Sequence, residues 1–238
     1  MPDSRRAWQI VLQQIEGDLL SGRLGPGDHL PAERTLATEL GVGRSSVREA
    51  IRVLEVLGLV RTQTGSGPQA GAIIVATPSG GMSALMRLQV AAQGFPVPDV
   101  VKTRLVLETS TVAELASNSH VAGLSASRTL LDAMESPALT EAEFLALDAR
   151  FHLSLAEATG NQVITAMMGG LRDSIESYSL EGATRLPSWQ STVARLRVEH
   201  RAVLDAIDAG NPAEARTRIH DHITTYYGEI LPQPAVIT

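Results

Sequence analysis

Residues Gly27–Gly67, GDHLPAERTLATELGVGRSSVREAIRVLEVLGLVRTQTGSG, decide the fold. Pro31 suits the first turn of a helix, where its missing N–H is no loss. Leu36, Leu40 and Val42 then supply an apolar face, and Gly41-Val-Gly43 reads as a tight turn. Ser46-x-x-Glu49 has the spacing of a capping box for a second helix. That helix carries Val47, Ala50, Ile51, Leu54 and Leu57 at helical spacing and stops at Gly58. Arg44, Arg48 and Arg52 lie off its apolar stripe, toward its start, where a recognition helix places its base-reading side chains. Two short strands follow, the second at 72–76. An ordinary helical hairpin with solvated arginines would not need the turn, the cap and the arginine placement to coincide. The pattern predicts a DNA-binding winged helix-turn-helix.

Upstream, Trp8, Ile10, Val11, Ile15, Leu19 and Leu20 give an amphipathic supporting helix that ends at Gly22. Downstream, Thr77-Pro-Ser-Gly-Gly81 is a breaker, Met82 to Gln93 a short connecting helix, and Gly94-Phe-Pro-Val-Pro98 a second interruption. From Asp99 onward the period is helical, with helices expected near 99–117, 121–135, 140–158, 161–180, 187–209 and 213–230. The expected breaks are Ser136-Pro137, Gly160-Asn161, Gly182 and Gly210-Asn211-Pro212. The fold class is therefore mainly α: an N-terminal winged helix-turn-helix and a C-terminal antiparallel all-α bundle. The expected domains are 1–76 for DNA binding, 77–98 as linker, and 99–231 for effector binding and dimerisation.

Composition narrows the chemistry. The 238 residues contain no cysteine, which excludes disulfides, thiol catalysis and zinc fingers. No run of about 18 apolar residues and no charged-then-apolar leader appears, so no membrane partner and a cytoplasmic location are expected. The net charge of −6 would repel phosphate, but it is unevenly placed. Residues 1–76 hold eight basic and eight acidic residues, whereas 77–238 hold twelve and eighteen. A first domain that is neutral in sum, with arginines on one helix face, needs dimerisation for affinity, and its phosphate contacts make that affinity salt-sensitive.

A second constellation lies in the bundle. Asp148 and His152 are four residues apart on one expected helix and share a face. His200 and His222 lie on the two helices flanking the Gly210-Asn211-Pro212 break, each eleven residues from Asn211. In an antiparallel hairpin they stand at the same height. Three imidazoles and a carboxylate suit a divalent transition metal, zinc first, with nickel or manganese as alternatives. The competing reading is a set of surface histidines and a solvated Asp. His220 fits that surface description.

LPAERTLATELGVGRSSVREAIRVLEVLGLV, residues 30–60, resembles the DNA-binding domain of the GntR family of bacterial regulators. The resemblance implies that Arg34, Arg44, Ser45 and Arg48 contact DNA and that Gly67 in the wing approaches the minor groove. Arg44 and Arg48 would read guanine O6 and N7 as bidentate forks, with Arg34 on a phosphate. The stretch Thr64-Gly-Ser-Gly-Pro-Gln-Ala-Gly71 is longer and richer in glycine than is usual in the family and has no basic tip, so wing contacts are expected from backbone.

Asp148-Ala-Arg-Phe-His152 with Ala158-Thr-Gly-Asn161, and Glu199-His200 through His222-Ile223, resemble the ligand domain of the FadR branch. In its metal-bearing members the residues matching Asp148, His152, His200 and His222 bind an ion and leave positions open for water or a small carboxylate. The acyl-CoA-binding member that names the branch lacks this set, which argues against a fatty acyl ligand here. The resemblance also makes Arg104, in Arg104-Leu-Val-Leu-Glu108, a carboxylate clamp facing the cavity. The alternative for Arg104 is a surface pair with Glu108 at i,i+4. Asn161 and Arg218 complete the expected effector set.

The function so implied is a homodimeric transcriptional repressor on a palindromic operator, controlled by a small carboxylate. Two alternatives remain open: a metal-dependent enzyme fused to a DNA-binding module, and a regulator with a purely structural metal. No spare Glu, Ser or Lys at a defined spacing offers the enzyme a general base, and the reading is that the chain is not an enzyme.

Overall fold

The computed structural model describes residues 6–63, 71–75, 81–92, 95–118 and 122–231. The chain forms two compact units, Met1–Met82 and Ser83–Thr238.

In the first unit, α1 (Ala7–Leu20), α2 (Glu33–Leu40) and α3 (Arg44–Val56) surround a core of Val11, Ile15, Leu36, Val47, Ala50 and Leu54. Gly41 takes a left-handed conformation, φ 63°, that glycine adopts without a side-chain clash. This lets Val42 N–H donate back to Ala37 O at 3.1 Å and sends the chain directly into α3. The reversal is so tight that α3 begins at Arg44 with Gly43 as its N-cap. Ser46 and Glu49 therefore lie inside the helix, and the capping box expected there does not form. Pro31 likewise precedes Ala32, the N-cap of α2, and lies outside the helix. The wing pairs β1 (Val60–Gln63) with β2 (Gly71–Ile74), antiparallel, with Val60 opposite Ile74 and Gln63 opposite Gly71. The free edge of β2 is covered by residues 27–30, through Leu30 N–H to Ala72 O at 2.8 Å and Ile74 N–H to Asp28 O at 2.9 Å. Gly67, the wing tip and the breaker at 77–80 lie outside the described residues.

α4 (Gly81–Ala91) begins at the end of the first unit and runs into the second, which is helical: α5 (Val97–Ser117), α6 (Ser125–Met134), α7 (Glu141–Ala158), α8 (Gln162–Ala183), α9 (Trp189–Asp208) and α10 (Pro212–Ile230) follow, with a 3-10 turn at Ala122–Leu124 before α6. Two of its corners use the same local device. Gly160 and Gly210, at φ 73° and 63°, end α7 and α9. Asn161 and Asn211 follow at once as N-caps, accepting from Val163 and Ile164 N–H and from Glu214 N–H. Thr140 and Glu143 form a reciprocal capping box that starts α7. Phe144, Phe151, Leu155, Leu171, Leu196, Val203, Ile219 and Ile223 fill the core.

Gly182 stands at the break that its sequence suggests, one residue before α8 ends at Ala183, and it has a second role. A Cβ there would stand 2.6 Å from Ile230 Cβ on α10. That role is to let two helices approach. Gly182→Ala is expected to overpack that crossing and to cost about 1–3 kcal/mol, against the helix propensity alanine would add. The urea midpoint of the variant, compared with wild type, checks this.

Candidate functional site

On the first unit, Arg44, Ser45 and Arg48 are exposed on the first two turns of α3, and Arg34 is exposed on α2. Arg48 Nε lies 2.8 Å from Glu33 Oε2, a surface pair bridging α2 and α3. No side chain caps α3, so its N-terminal turn presents backbone N–H groups, the feature that receives a phosphate oxygen at a helix start. The structure thus puts Arg44, Ser45 and Arg48 together on one element, with Arg34 on its neighbour. It says nothing of Gly67.

In the second unit the buried face of α7 brings Asp148 and His152 against His200 from α9 and His222 from α10, and all four are buried. Their ligand atoms lie within 4.8 Å of one another. Asp148 Oδ1 is 3.0 Å from His200 Nε2, and His152 Nε2 is 3.2 Å from His222 Nε2. An ion bonded at about 2.0–2.2 Å holds neighbouring ligand atoms roughly 3 Å apart, so the spacing suits one.

The protonation pattern makes the stronger case. His152 Nδ1 contacts Glu108 Oε2 at 2.5 Å, and His222 Nδ1 contacts Glu199 Oε2 at 2.8 Å. An ionised carboxylate only accepts, so each Nδ1 carries the proton. Both Nε2 atoms then present lone pairs to each other at 3.2 Å. Two acceptors in that position repel, and a shared cation relieves them. His200 adds to this: fully buried, neither of its ring nitrogens makes a hydrogen bond of acceptable geometry among the described residues. Buried polar atoms without partners are costly, and a metal satisfies this one.

The charges agree. Burial, followed by the neighbouring His200, lowers His222 to about 4. Burial and the nearby Arg104 lower His152 too, with Glu108 opposing. Burial would raise Asp148, but its contact with His200 and the charges of the histidines hold it well below the carboxylate range. Glu108 is also opposed by burial, yet Arg104 and His152 hold it down to about 2. The site is therefore two neutral imidazoles beside ionised carboxylates, ready to ligate. For the metal-free protein the unfolded chain takes up protons on these histidines where the folded chain does not. Stability then rises with pH from about 4 to 6.5 and is lost as pH falls through that window. The melting temperature of metal-free protein is expected to drop clearly between about pH 7 and about pH 5. An unchanged value would contradict the burial of neutral imidazoles.

Glu108 and Glu199 were not singled out by the sequence, although each sits in a quoted motif. They orient the ligating rings, and such carboxylate–histidine pairs typically matter tenfold to a hundredfold for metal affinity. Glu199→Gln is expected to weaken metal binding by about that factor while keeping the fold, as read by chelator competition. Glu199 is itself held by Arg195 at 2.9 Å, and Arg195 also reaches Glu229 at 2.6 Å.

The expected effector residues fare unequally. Arg104 is buried in the core, its i,i+4 pair with Glu108 buried too, and it lines the small cavity beside His152. Its Nε donates to Glu108 Oε1 and its Nη1 to Tyr227 OH at 3.1 Å. Burial alone would discourage its charge, but Glu108 more than offsets this. Arg104 therefore holds Glu108, which holds His152. Asn161 is not brought to the cluster, because its side chain caps α8. Arg218 is also away from it, being half-exposed and paired with Glu214 at 2.7 Å one turn earlier. His220, beside His222 in sequence, is exposed. A small cavity of about 10 Å³ lies against the cluster, lined by Arg104, Ala149, His152, Met168, Arg172 and Ile175.

Comparison with known proteins places the chain. Residues 99–225 match the FCD domain, and residues 9–68 match the bacterial regulatory proteins of the gntR family. The chain belongs to the GntR family, in the branch whose helix-turn-helix is joined to an FCD ligand-binding domain. Among its relatives are the HTH-type transcriptional regulator LutR of Bacillus subtilis (strain 168), 29% identical over 86% of this chain and 92% of that protein, and the HTH-type transcriptional repressor NanR of Klebsiella aerogenes, 29% identical over 90% of this chain and 82% of that one. The solved structure of a Streptococcus agalactiae GntR superposes with a TM-score of 0.62 at 23% identity, covering 92% of this chain and 98% of that one, which supports the fold. The protein is a transcriptional regulator and not an enzyme. No helix among the described residues is long and apolar enough to cross a membrane.

Proposed function

We propose that this protein is a homodimeric, cytoplasmic repressor that binds a palindromic operator and is controlled by a small carboxylate effector at a divalent metal held by Asp148, His152, His200 and His222. Zinc is the preferred ion, with nickel or manganese as alternatives. The observation that supports this most is the pair of facing Nε2 acceptors of His152 and His222, 3.2 Å apart with both Nδ1 atoms committed to carboxylates. Two arginines beside His152, Arg104 and Arg172, support an anionic effector rather than a purely structural ion. The relative NanR is a transcriptional repressor, which supports the direction of control.

Control requires the effector to have different affinities for two arrangements of the protein. α4 spans the boundary between the units, since that boundary falls between Met82 and Ser83. A shift of the bundle would reach the recognition helix through it. Operator binding by metal-loaded protein, measured by mobility shift against a panel of hydroxy, keto and sugar acids, tests the reading. At least one acid is expected to change the affinity, and metal-free protein is expected not to respond. A response that persists without metal would sink the metal-centred version.

A further inference from the structure

A second hollow in the bundle has a described lining that holds none of the four metal ligands. It is a groove of about 760 Å³ between the first turns of α5, the end of α8 and the end of α10. Small-molecule sites commonly measure about 300–1,000 Å³ and have mostly apolar and aromatic walls. The walls here are of that kind: Val97 and Val101 from α5, Tyr178 from α8, and Tyr227 and Ile230 from α10. The charged residues of the described lining, Glu181 and Arg185, answer each other. They pair at 3.3 Å, and Arg185 Nη1 also donates to Ile230 O at 3.2 Å. The groove therefore offers no net charge. An ionised molecule entering it would give up hydration without gaining a counter-charge.

Gly228 marks the open side. It follows Thr224 by one turn of α10, and a Cβ there would meet nothing beyond its own stretch of helix within 4 Å. Gly182, in the same lining, has Ile230 against it and no such space. Tyr227 joins this wall to the rest of the bundle. It is buried, and its hydroxyl accepts from Arg104 Nη1 at 3.1 Å. Arg104 holds Glu108, whose Oε2 meets His152 Nδ1 at 2.5 Å. One buried chain of contacts thus runs from the groove wall to a metal ligand.

We propose that this groove binds a small uncharged aromatic molecule, and that its occupancy and metal binding reinforce each other through Tyr227 and Arg104. The tyrosine rings and aliphatic walls suit an aromatic body. A molecule packed there holds the Tyr227 phenol against Arg104, which keeps Glu108 on His152 and the ligating ring in place. The coupling is reciprocal by linkage: the factor that the aromatic molecule adds to metal affinity is the factor that the metal adds to its own. The coupling rests on the metal reading, and the groove does not.

Full-length protein titrated with N-phenylnaphthylamine, an uncharged aromatic amine whose fluorescence rises in apolar surroundings, tests this. Saturable binding is expected, with the same affinity at low and high protein concentration. Gly228→Leu fills the groove from its open side and adds helix propensity, so the variant should melt no lower than wild type. Its probe affinity is expected to fall about tenfold or more, because the leucine takes the volume that the probe would fill. Bound zinc is expected to tighten the probe about fivefold in wild type, and the probe to tighten zinc by the same factor in chelator competition. Tyr227→Phe keeps the ring and loses the hydroxyl contact, so it should bind the probe without the dependence on zinc. Equal probe affinity in wild type and Gly228→Leu would overturn the groove assignment. Probe binding that weakens as the protein is concentrated would place a second copy over the groove and overturn the small-molecule reading. An unaltered zinc effect in Tyr227→Phe would overturn the route through Arg104. Failure of zinc to bind wild type, with probe binding intact, would overturn the metal reading and the coupling and leave the groove's ligand standing.

Discussion

Purified His200→Ala is expected to lose the bound ion. Wild-type protein should carry close to one divalent ion per chain by elemental analysis, and the variant little or none. His200 is fully buried against Asp148, and nothing else among the described residues uses its nitrogens. The thermal consequence follows from mass action: an ion that binds only the folded state, present at a thousand times its dissociation constant, stabilises by about 4 kcal/mol. Alanine also leaves a cavity beside Phe151, whose ring lies 4.8 Å from that of His200. Metal-stripped wild type separates the two effects. The variant should melt below it by the packing loss alone, and added metal should rescue wild type and not the variant. His222→Ala should behave alike. Full metal content in both variants would rule out the four-residue centre.

The second large effect is expected at the DNA interface. Arg44→Ala and Arg48→Ala should each lose about 1–3 kcal/mol of discrimination between operator and random DNA, if each reads a guanine edge. Arg34→Ala should weaken binding to all sequences alike and flatten the salt dependence. Half-sites rich in a TGGT/ACCA-like pattern are expected from the family resemblance. Arg48 is a special case, since it must leave Glu33 to reach a base. Glu33→Gln is therefore expected to strengthen binding slightly. Equal losses on specific and random DNA for all three arginines would remove the direct-readout assignment.

Where the signals are local, the architecture was legible. Gly41, Gly160 and Gly210 take left-handed conformations at the corners where the sequence placed them. Asn161 and Asn211 follow the last two directly as caps, and the helical period of the second unit recurs in α5 to α10. One local signal misled: Ser46 and Glu49 have capping-box spacing, but α3 starts at Arg44 because the preceding turn is so tight. Another had two physical uses: Gly182 marks the end of α8 and also serves as a contact point for Ile230.

The sequence by itself determined the candidates for the metal centre. Residues four apart share a helix face, and two histidines equidistant from a helix corner meet in a hairpin; the rings of His200 and His222 stand 4.5 Å apart. Tertiary structure alone decided what surrounds them. Glu108 reaches His152 across 44 residues, and Arg104 reaches Tyr227 across 123. Such pairings depend on how α5, α7 and α10 rotate about their axes when they pack, and no periodicity along one helix encodes that rotation. Hence the sequence offers Arg104 either as an anion clamp or as a surface partner of Glu108, while the packed bundle buries the pair and links it to Tyr227 and His152.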